Sequence, residues 1–375
     1  MAGSDSPERG KHEQADTAGT AQTARRTYSA PRVLGSESLE AAAATCSPPA
    51  PPFGKSVPFP CSSLGSWAAT VPPACGDSWG SHSVSMTLPT GAIRFTGLSP
   101  RQARSLMTTY ARFISADIPA VAAAGVTCAA HRLAAAPTID PQTMTVEGLY
   151  TPLKLRQVDG FEITGINFTA KIPLTPDRGQ ASLAVAREEE LVLANVIENF
   201  LRILSAHQAL VHGGLVLHSA GLVLDRQAWI FAGRSGAGKT TLTGKAHRAG
   251  ATVLSDDVNL LLPDKGAYHA YAVPFTGEFG RTLDHAGADD AYPVAGVVLL
   301  EQGEQLAAHR VTSAVATARL MAHSPFVNTD EAATERLLEN LERAVTHLPV
   351  IRLQNRREDG IEDIMKIVKR AIANG

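Results

Sequence analysis

Residues 233–240 combine side chains and backbone that could bind the phosphates of a nucleotide. Their sequence, GRSGAGKT, fits the phosphate-loop pattern G-x-x-x-x-G-K-[ST] at every fixed position. Glycines let consecutive backbone N–H groups curl around a phosphate. The lysine places a charge between the β- and γ-phosphates, and the threonine offers a hydroxyl to Mg²⁺. The pattern predicts a site for ATP or a close relative, with Mg²⁺. The residues predicted to bind the nucleotide are Gly233, Arg234, Ser235, Gly236, Ala237, Gly238, Lys239, Thr240 and Thr241.

Two further positions carry chemistry near this loop. Asp256 and Asp257 follow an apolar run, Thr252–Leu254, that comes after the helix behind the phosphate loop. Acids at the carboxyl edge of a sheet should face the phosphates, where one can hold Mg²⁺ and the other can accept a proton from an attacking hydroxyl. His218 ends another apolar run just before the loop. A lone histidine in such a place is typical of a structural hydrogen bond as well as of a functional group.

Other classes of phosphate-loop protein fit less well. The chain lacks the ABC-type signature LSGGQ and the guanine-reading NKxD. Asp284–Gly287 matches DxxG, but a four-residue pattern with two free positions is common by chance. Because a phosphate loop reads phosphates and not bases, the choice between ATP and GTP stays open.

Taken together, His218, the loop 233–240 and the pair Asp256–Asp257 resemble the HPr kinase/phosphorylase family. His218 lies 15 residues before Gly233, and the two aspartates lie 23 and 24 residues after it, as in that family. The resemblance covers about residues 215–262 well and extends more weakly to about residue 353. It implies a phosphoenolpyruvate-carboxykinase-like phosphate-loop core that transfers phosphate from Mg·ATP to a serine hydroxyl.

The resemblance also implies roles for single residues. Asp256 would be the general base, supported or oriented by His218, and Lys239 would stabilise the transferred charge. Asp257 would bind Mg²⁺ together with Thr240. Further along, Glu278 is a candidate second metal ligand, and Arg281 is a candidate group to hold transferred phosphate. The family forms rings, so a homo-oligomer is implied as well.

The chain departs from the family in ways that bear on its acceptor. Residues 87–211 do not match the N-terminal domain of HPr kinases, and the downstream acidic and arginine motifs are not obvious. The chain is more similar to HPr-kinase-related proteins with a variant N-terminal domain, some of which accompany peptide-modification gene clusters. The acceptor is therefore predicted to be a serine of a protein or peptide, not HPr itself. A nucleotide-binding regulator without transfer, a small-molecule kinase and a phosphorylase stay open as alternatives.

The rest of the pattern predicts an α/β fold with three regions. Residues 1–85 are rich in Ala, Ser, Pro and Gly without a period, which predicts a disordered tail. Residues 86–211 predict an α+β domain, and residues 212–375 predict the phosphate-loop domain with a helical end. The predicted helices are 99–116, 187–211, 239–248, 311–322, 331–347 and 361–373. The predicted strands are 145–155, 161–172, 214–217, 222–224, 228–232, 252–254, 292–300 and 350–353.

Composition limits the possible partners and location. The formal net charge of −2 gives no global field for nucleic acid, and no apolar run reaches the length of a membrane span. The polar first 20 residues are unlike a signal peptide, so a cytoplasmic location is expected. The four cysteines match no paired zinc pattern and are interpreted as incidental thiols.

Overall fold

In the computed structural model, the described residues are 76–115, 125–138, 153–275, 277, 279–280, 291–328 and 331–374. They belong to one compact unit, Ala69–Gly375. The predicted tail up to residue 75, most of the strand predicted near 145–155, Glu278, Arg281 and the DxxG match at 284–287 lie outside the described residues.

The first sheet lies in the N-terminal half of the described chain. Within the described residues it has seven strands, in the order β1-β2-β3-β7-β6-β5-β4. Its strands are β1 His82–Leu88, β2 Gly91–Leu98, β3 Val126–Arg132, β4 Leu153–Val158, β5 Gly160–Gly165, β6 Phe168–Ile172 and β7 Gly179–Val185. Burial alternates along β6, where Phe168, Ala170 and Ile172 point into the core. This is the period expected of a sheet with one face covered.

Two features of this sheet differ from the sequence prediction. The segment 161–172 forms two strands, β5 and β6, because Asn167 adopts a positive φ of 69° and turns the chain back. The first strand begins at His82, inside the segment predicted to be disordered. The helix predicted over 99–116 is shorter, since α1 spans Pro100–Thr109 and a 3₁₀ turn, Ala111–Phe113, follows it. Its start agrees with the prediction, because Ser99 and Gln102 form a capping box.

The second sheet carries the phosphate loop. Its strands are β8 Leu215–Leu224, β9 Gln227–Ala232, β10 Thr252–Ser255, β11 Val258–Asp264, β12 Ala267–Tyr271, β13 Ala291–Gln302, β14 Ala307–Arg310 and β15 Val350–Asn355. The first half of β8 pairs with β11 and the second half pairs with β9 and β10. The runs predicted as two strands at 214–217 and 222–224 are therefore one continuous strand.

Parallel pairing at the centre of this sheet sets the position of the site. β13 pairs in parallel with β9 on one side and with β15 on the other. The carboxyl ends of these three strands therefore meet at one edge, directly beside the phosphate loop that follows β9. β10 runs antiparallel to β8, as β9 does, so it ends at the same edge. This is the edge at which ligands bind in sheets of this type.

Five further helices complete the described fold, which is mixed α/β as predicted. They are α2 Glu190–Val211, α3 Lys239–Arg248, α4 Ser313–Met321, α5 Glu331–His347 and α6 Ile361–Ala373. α2 packs against β6 of the first sheet and against β8 and β11 of the second, and most of its residues are buried. One hydrophobic cluster therefore runs through both sheets around α2. A second cluster, with Trp229, Phe231 and Leu242, lies under α3 and α6.

None of the described helices is both long enough and apolar enough to cross a membrane. Cys128 is buried in β3, and burial raises the pKa of its thiol well above the ordinary value. The described cysteine is thus an unreactive core residue.

Candidate functional site

The phosphate loop has the local geometry that its sequence predicts. β9 leads into the loop, and α3 begins at Lys239, directly after Gly238. Gly236 and Gly238 have φ values of 78° and 101°, which residues with a side chain adopt only at a cost. Because the N-cap residue is a glycine, no side chain covers the first amides of α3. These amides and the positive end of the helix dipole form a place for an anion.

Lys239 is held inside this loop. Its Nζ donates to the carbonyl oxygens of Gly233 at 2.6 Å and of Arg234 at 3.1 Å. The residue is buried, and burial lowers the pKa of the amine, while the nearby Asp257 and Asp256 carboxylates act in the opposite direction. The loop backbone therefore fixes a positive charge at the base of the site.

Asp256 contacts a second segment of backbone. Its Oδ1 accepts hydrogen bonds from the N–H groups of Gly277 at 2.8 Å and Gly280 at 3.0 Å, and its Oδ2 accepts one from Phe279 at 2.9 Å. A Cβ atom on Gly277 would lie 2.6 Å from both carboxylate oxygens, so only glycine fits there. Asp256 thus fastens Gly277, Phe279 and Gly280 to the edge of the sheet.

Asp257 contacts charged side chains instead. Its Oδ2 accepts a hydrogen bond from Arg202 Nη2 at 2.7 Å, and its Oδ1 lies 3.7 Å from His218 Nε2. Arg202 also donates to Glu198 Oε1 at 2.7 Å. Arg202 and Asp257 are both buried, so this ion pair lies outside the reach of bulk water. The turn that presents both aspartates is stabilised by Ser255, whose hydroxyl accepts the N–H of Asp257 at 3.2 Å.

His218 sits where β8 changes partners. Its backbone N–H donates to the carbonyl of His323 at 2.8 Å, and its ring faces Asp257. Burial lowers the pKa of His218, and the charges of Lys239 and Arg202 add to this effect, whereas Asp257 opposes it. The pKa of the neighbouring His323 is lowered to about 4, first by burial. These surroundings favour the neutral form of both rings.

These groups meet around one cavity of about 240 Å³, which we name the central cavity. Its walls are the backbone of the phosphate loop and the residues His218, Lys239, Thr240, Asp256 and Asp257. The structure thus brings together residues from β8, from the loop, from the start of α3 and from the turn after β10. Glu278, the predicted second metal ligand, is not among the described residues.

The described donors around the central cavity fit Mg²⁺ better than a transition metal. Within the described residues, no cluster of three or more His, Cys, Asp or Glu side chains is arranged to hold a metal ion. Mg²⁺ usually needs only one or two carboxylates, because phosphate oxygens and water complete its shell. Asp257 Oδ1 and the exposed Thr240 hydroxyl line the same cavity, and the partner of Asp257 on the other side, Arg202, occupies Oδ2.

Sequence reasoning missed Arg202. The pattern predicts α2 as an amphipathic helix and gives no role to an arginine within it. The available signal was a charge in the run Phe200-Leu201-Arg202-Ile203-Leu204, since a cation flanked by apolar residues on a buried helix needs a buried partner. The identity of that partner depends on the fold, because Asp257 follows 55 residues later.

The comparisons with known proteins cover this part of the chain. The family model described as SynChlorMet cassette protein ScmC matches residues 182–356, which include α2, the phosphate loop, His218 and both aspartates. No curated protein matches. Among solved structures, the chain is similar to the Hpr(Ser) kinase/phosphatase from Coxiella burnetii, with 13% identity over 42% of this chain and 94% of that chain. The TM-score of 0.25 is too low to show a shared fold.

Proposed function

We propose that the protein is an ATP-dependent kinase that transfers the γ-phosphate to a hydroxyl, in particular to a serine of a protein or peptide. The observation that carries this proposal is the central cavity. A phosphate loop with its lysine, two carboxylates and a neutral histidine line one small space. Phosphoryl transfer needs this set of groups, because it depends on positioning and on stabilising charge.

Each residue has a role that follows from its contacts. The amides at the start of α3 and the Lys239 ammonium would bind the phosphates and stabilise the charge that develops on them. Thr240 and Asp257 would hold Mg²⁺, which neutralises charge on the phosphates when bound. His218 and Asp256 are the groups able to accept a proton from the acceptor hydroxyl. A carboxylate has about four acceptor positions, and Asp256 uses three of them for backbone N–H groups.

The same contacts support a second candidate, a regulator that binds ATP without transferring phosphate. Lys239, Asp256 and Asp257 are each engaged by partners within the chain. These contacts hold the three groups in place whether or not phosphate is transferred, so they would also serve a protein that only binds the nucleotide. A small-molecule kinase or a phosphorylase would use the same groups on a different acceptor or in the reverse direction.

Transfer of label from γ-³²P-ATP separates these candidates. The full chain is incubated with Mg²⁺ and a peptide library or lysate, in parallel with Lys239→Ala and with Glu304→Gln as a matched surface control. We expect label on serine of one acceptor, lost in Lys239→Ala and retained in the control. ATP binding without label on any acceptor, or slow hydrolysis alone, would favour the regulator. Release of label from the phosphorylated acceptor by added phosphate would identify a phosphorylase.

A further inference from the structure

Two larger cavities share residues of the phosphate loop with the central cavity. One, the strand-end cavity, has about 590 Å³ and is lined by the loop, by Thr241 and Lys245 of α3, and by the chain after β13 and β15. The other, the His323 cavity, has about 480 Å³ and is lined by the loop with Arg234, Glu301, Arg319 and His323. Both volumes are in the range of small-molecule sites.

The path that bound phosphates would follow distinguishes the strand-end cavity from the His323 cavity. The groups that act on the γ-phosphate, Lys239 with the two aspartates, lie in the central cavity. The remaining phosphates must then lead away along the amides of α3. Thr241 lies further along that helix and lines both the central cavity and the strand-end cavity, but not the His323 cavity. The path past Thr241 therefore ends in the strand-end cavity.

We infer that the strand-end cavity binds the nucleoside of the nucleotide, with Arg357 packed against the base. This inference rests on the proposed nucleotide site and adds where the base and ribose lie.

The walls of the strand-end cavity have the chemistry of a nucleoside site. Gln302 and Asn355 contribute amides, and the buried side chains of Leu242 and Ile364 lie beneath them. These two amides belong to the last residues of β13 and β15, at the same sheet edge as the phosphate loop. Arg357 is exposed, and no described residue pairs with its guanidinium. A planar guanidinium of this kind stacks readily on a heterocyclic base.

The backbone that carries Arg357 is fixed before any ligand binds. Lys245 donates to the carbonyl oxygens of Arg357 and of Asp359, the latter at 2.7 Å. Arg356 donates to Asp359 Oδ1 through Nε at 3.1 Å and Nη2 at 2.7 Å, and its own N–H is bound by Oδ2. Gln302 Nε2 donates to the carbonyl of Gly236 at 2.7 Å, which ties this wall to the phosphate loop. Such pre-organisation reduces the ordering that binding would need.

The test compares ATP with inorganic tripolyphosphate, which has the phosphates and lacks the nucleoside. Binding of both to the full chain with Mg²⁺ is measured by calorimetry, for wild type, Arg357→Ala and the control Arg319→Ala. We expect Arg357→Ala to weaken the binding of ATP by about tenfold, which is the scale of one desolvated stacking contact. The affinity for tripolyphosphate should stay within about twofold of the wild-type value. Arg319→Ala should change neither the affinity for ATP nor the affinity for tripolyphosphate. Thermal melting checks that each variant is folded.

Three outcomes would contradict the inference, and a fourth would contradict the proposed function on which it rests. If Arg357→Ala weakened the binding of ATP and of tripolyphosphate equally, the arginine would attract phosphate and not stack on the base. If it weakened the binding of neither, the arginine would not belong to the site. Selective loss of ATP in Arg319→Ala would put the nucleoside in the His323 cavity. If wild type bound neither ligand, the proposed function itself would fall. Photolabelling with 8-azido-ATP gives a second measure, with label expected on 355–364 and not on 299–301 or 319–323.

Discussion

The two aspartates of the site are held in different ways. On one side, which we call the loop side, Asp256 accepts hydrogen bonds from the backbone N–H groups of Gly277, Phe279 and Gly280. On the other, the helix side, Asp257 is paired with the guanidinium of Arg202 on α2. The two aspartates are neighbours in the chain and both are buried. The dipoles of backbone N–H groups stabilise Asp256, and the opposite charge of Arg202 stabilises Asp257. The loop side is therefore sensitive to backbone geometry, and the helix side is sensitive to the loss of a charge.

The largest expected effect is on the helix side. Arg202→Met leaves the buried carboxylate of Asp257 without the guanidinium that pairs with it. Removing one partner of a buried pair typically costs about 3–5 kcal/mol of unfolding free energy. Urea unfolding at pH 7 measures this loss. Arg352→Met, in an exposed pair with Glu301, is the matched control and should cost less than about 1 kcal/mol.

A double variant tests whether the unpaired carboxylate causes the loss of stability in Arg202→Met. Arg202→Met combined with Asp257→Asn removes one uncompensated carboxylate, so it should recover part of the lost stability. If the double variant were as unstable as the sum of the two single variants, Arg202 would act through packing and the contrast between the two sides would fail.

The second expected effect concerns pH and lies on the same helix. His207 of α2 is buried against the ring of Phe161, with centroids 3.9 Å apart, and burial lowers its pKa to about 4. The unfolded chain binds a proton near pH 6.5, so stability is complete above that value and falls as pH drops toward 4. The loss reaches at most about 3 kcal/mol.

Unfolding free energy measured between pH 7 and 4 tests this dependence. In His207→Phe we expect a flatter profile, because the replacement ring does not titrate, while the exposed His309→Gln should leave the wild-type slope unchanged. A wild-type slope that survives in His207→Phe would assign the acid sensitivity to other groups.

The smallest expected effect lies on the loop side and separates two roles of Asp256. Gly277→Ala introduces a Cβ atom 2.6 Å from the carboxylate oxygens and disturbs the hydrogen bond from the N–H of residue 277, but it keeps the carboxylate. If Asp256 accepts the hydroxyl proton, Asp256→Asn should lower kcat by about 100-fold or more. Gly277→Ala should lower it by about tenfold or less, the scale of one disturbed hydrogen bond.

Single-turnover transfer assays on both variants measure the difference, with the N-terminal cap variant Ser99→Ala as a remote control. Equal losses in Asp256→Asn and Gly277→Ala would mean that Asp256 acts by fastening the backbone N–H groups that it binds, and His218 would then be the better candidate for the base.

The sequence was most informative where structure is local. The boundaries of α3, α5 and α6 agree with prediction, because caps, glycines and helical spacing lie within a few residues of each other. The phosphate loop and the pair Asp256–Asp257 were found for the same reason. β11 was missed, since Val258–Asp264 is a mostly apolar run that ends in Pro-Asp and lacks a clear period. Arg202 was missed because its role depends on a contact between distant parts of the chain.

The order of the first sheet was beyond local pattern as well. β3 pairs in parallel with β2 and with β7, which are far apart in the chain, and no short motif records such a pairing. The assignment of residues 86–211 and 212–375 to separate domains stays a prediction, although one core surrounds α2.

The pairing of β9 with β13 has a consequence for how the protein reaches its native state. β9 ends in the phosphate loop, yet one of its two neighbours, β13, begins only at Ala291. Parallel strands so distant in the chain must close a long stretch of polypeptide before their hydrogen bonds form, which slows folding. On a ribosome, β9 emerges well before β13 does. The loop 233–240 therefore acquires its final support late in synthesis, only after β13 has emerged.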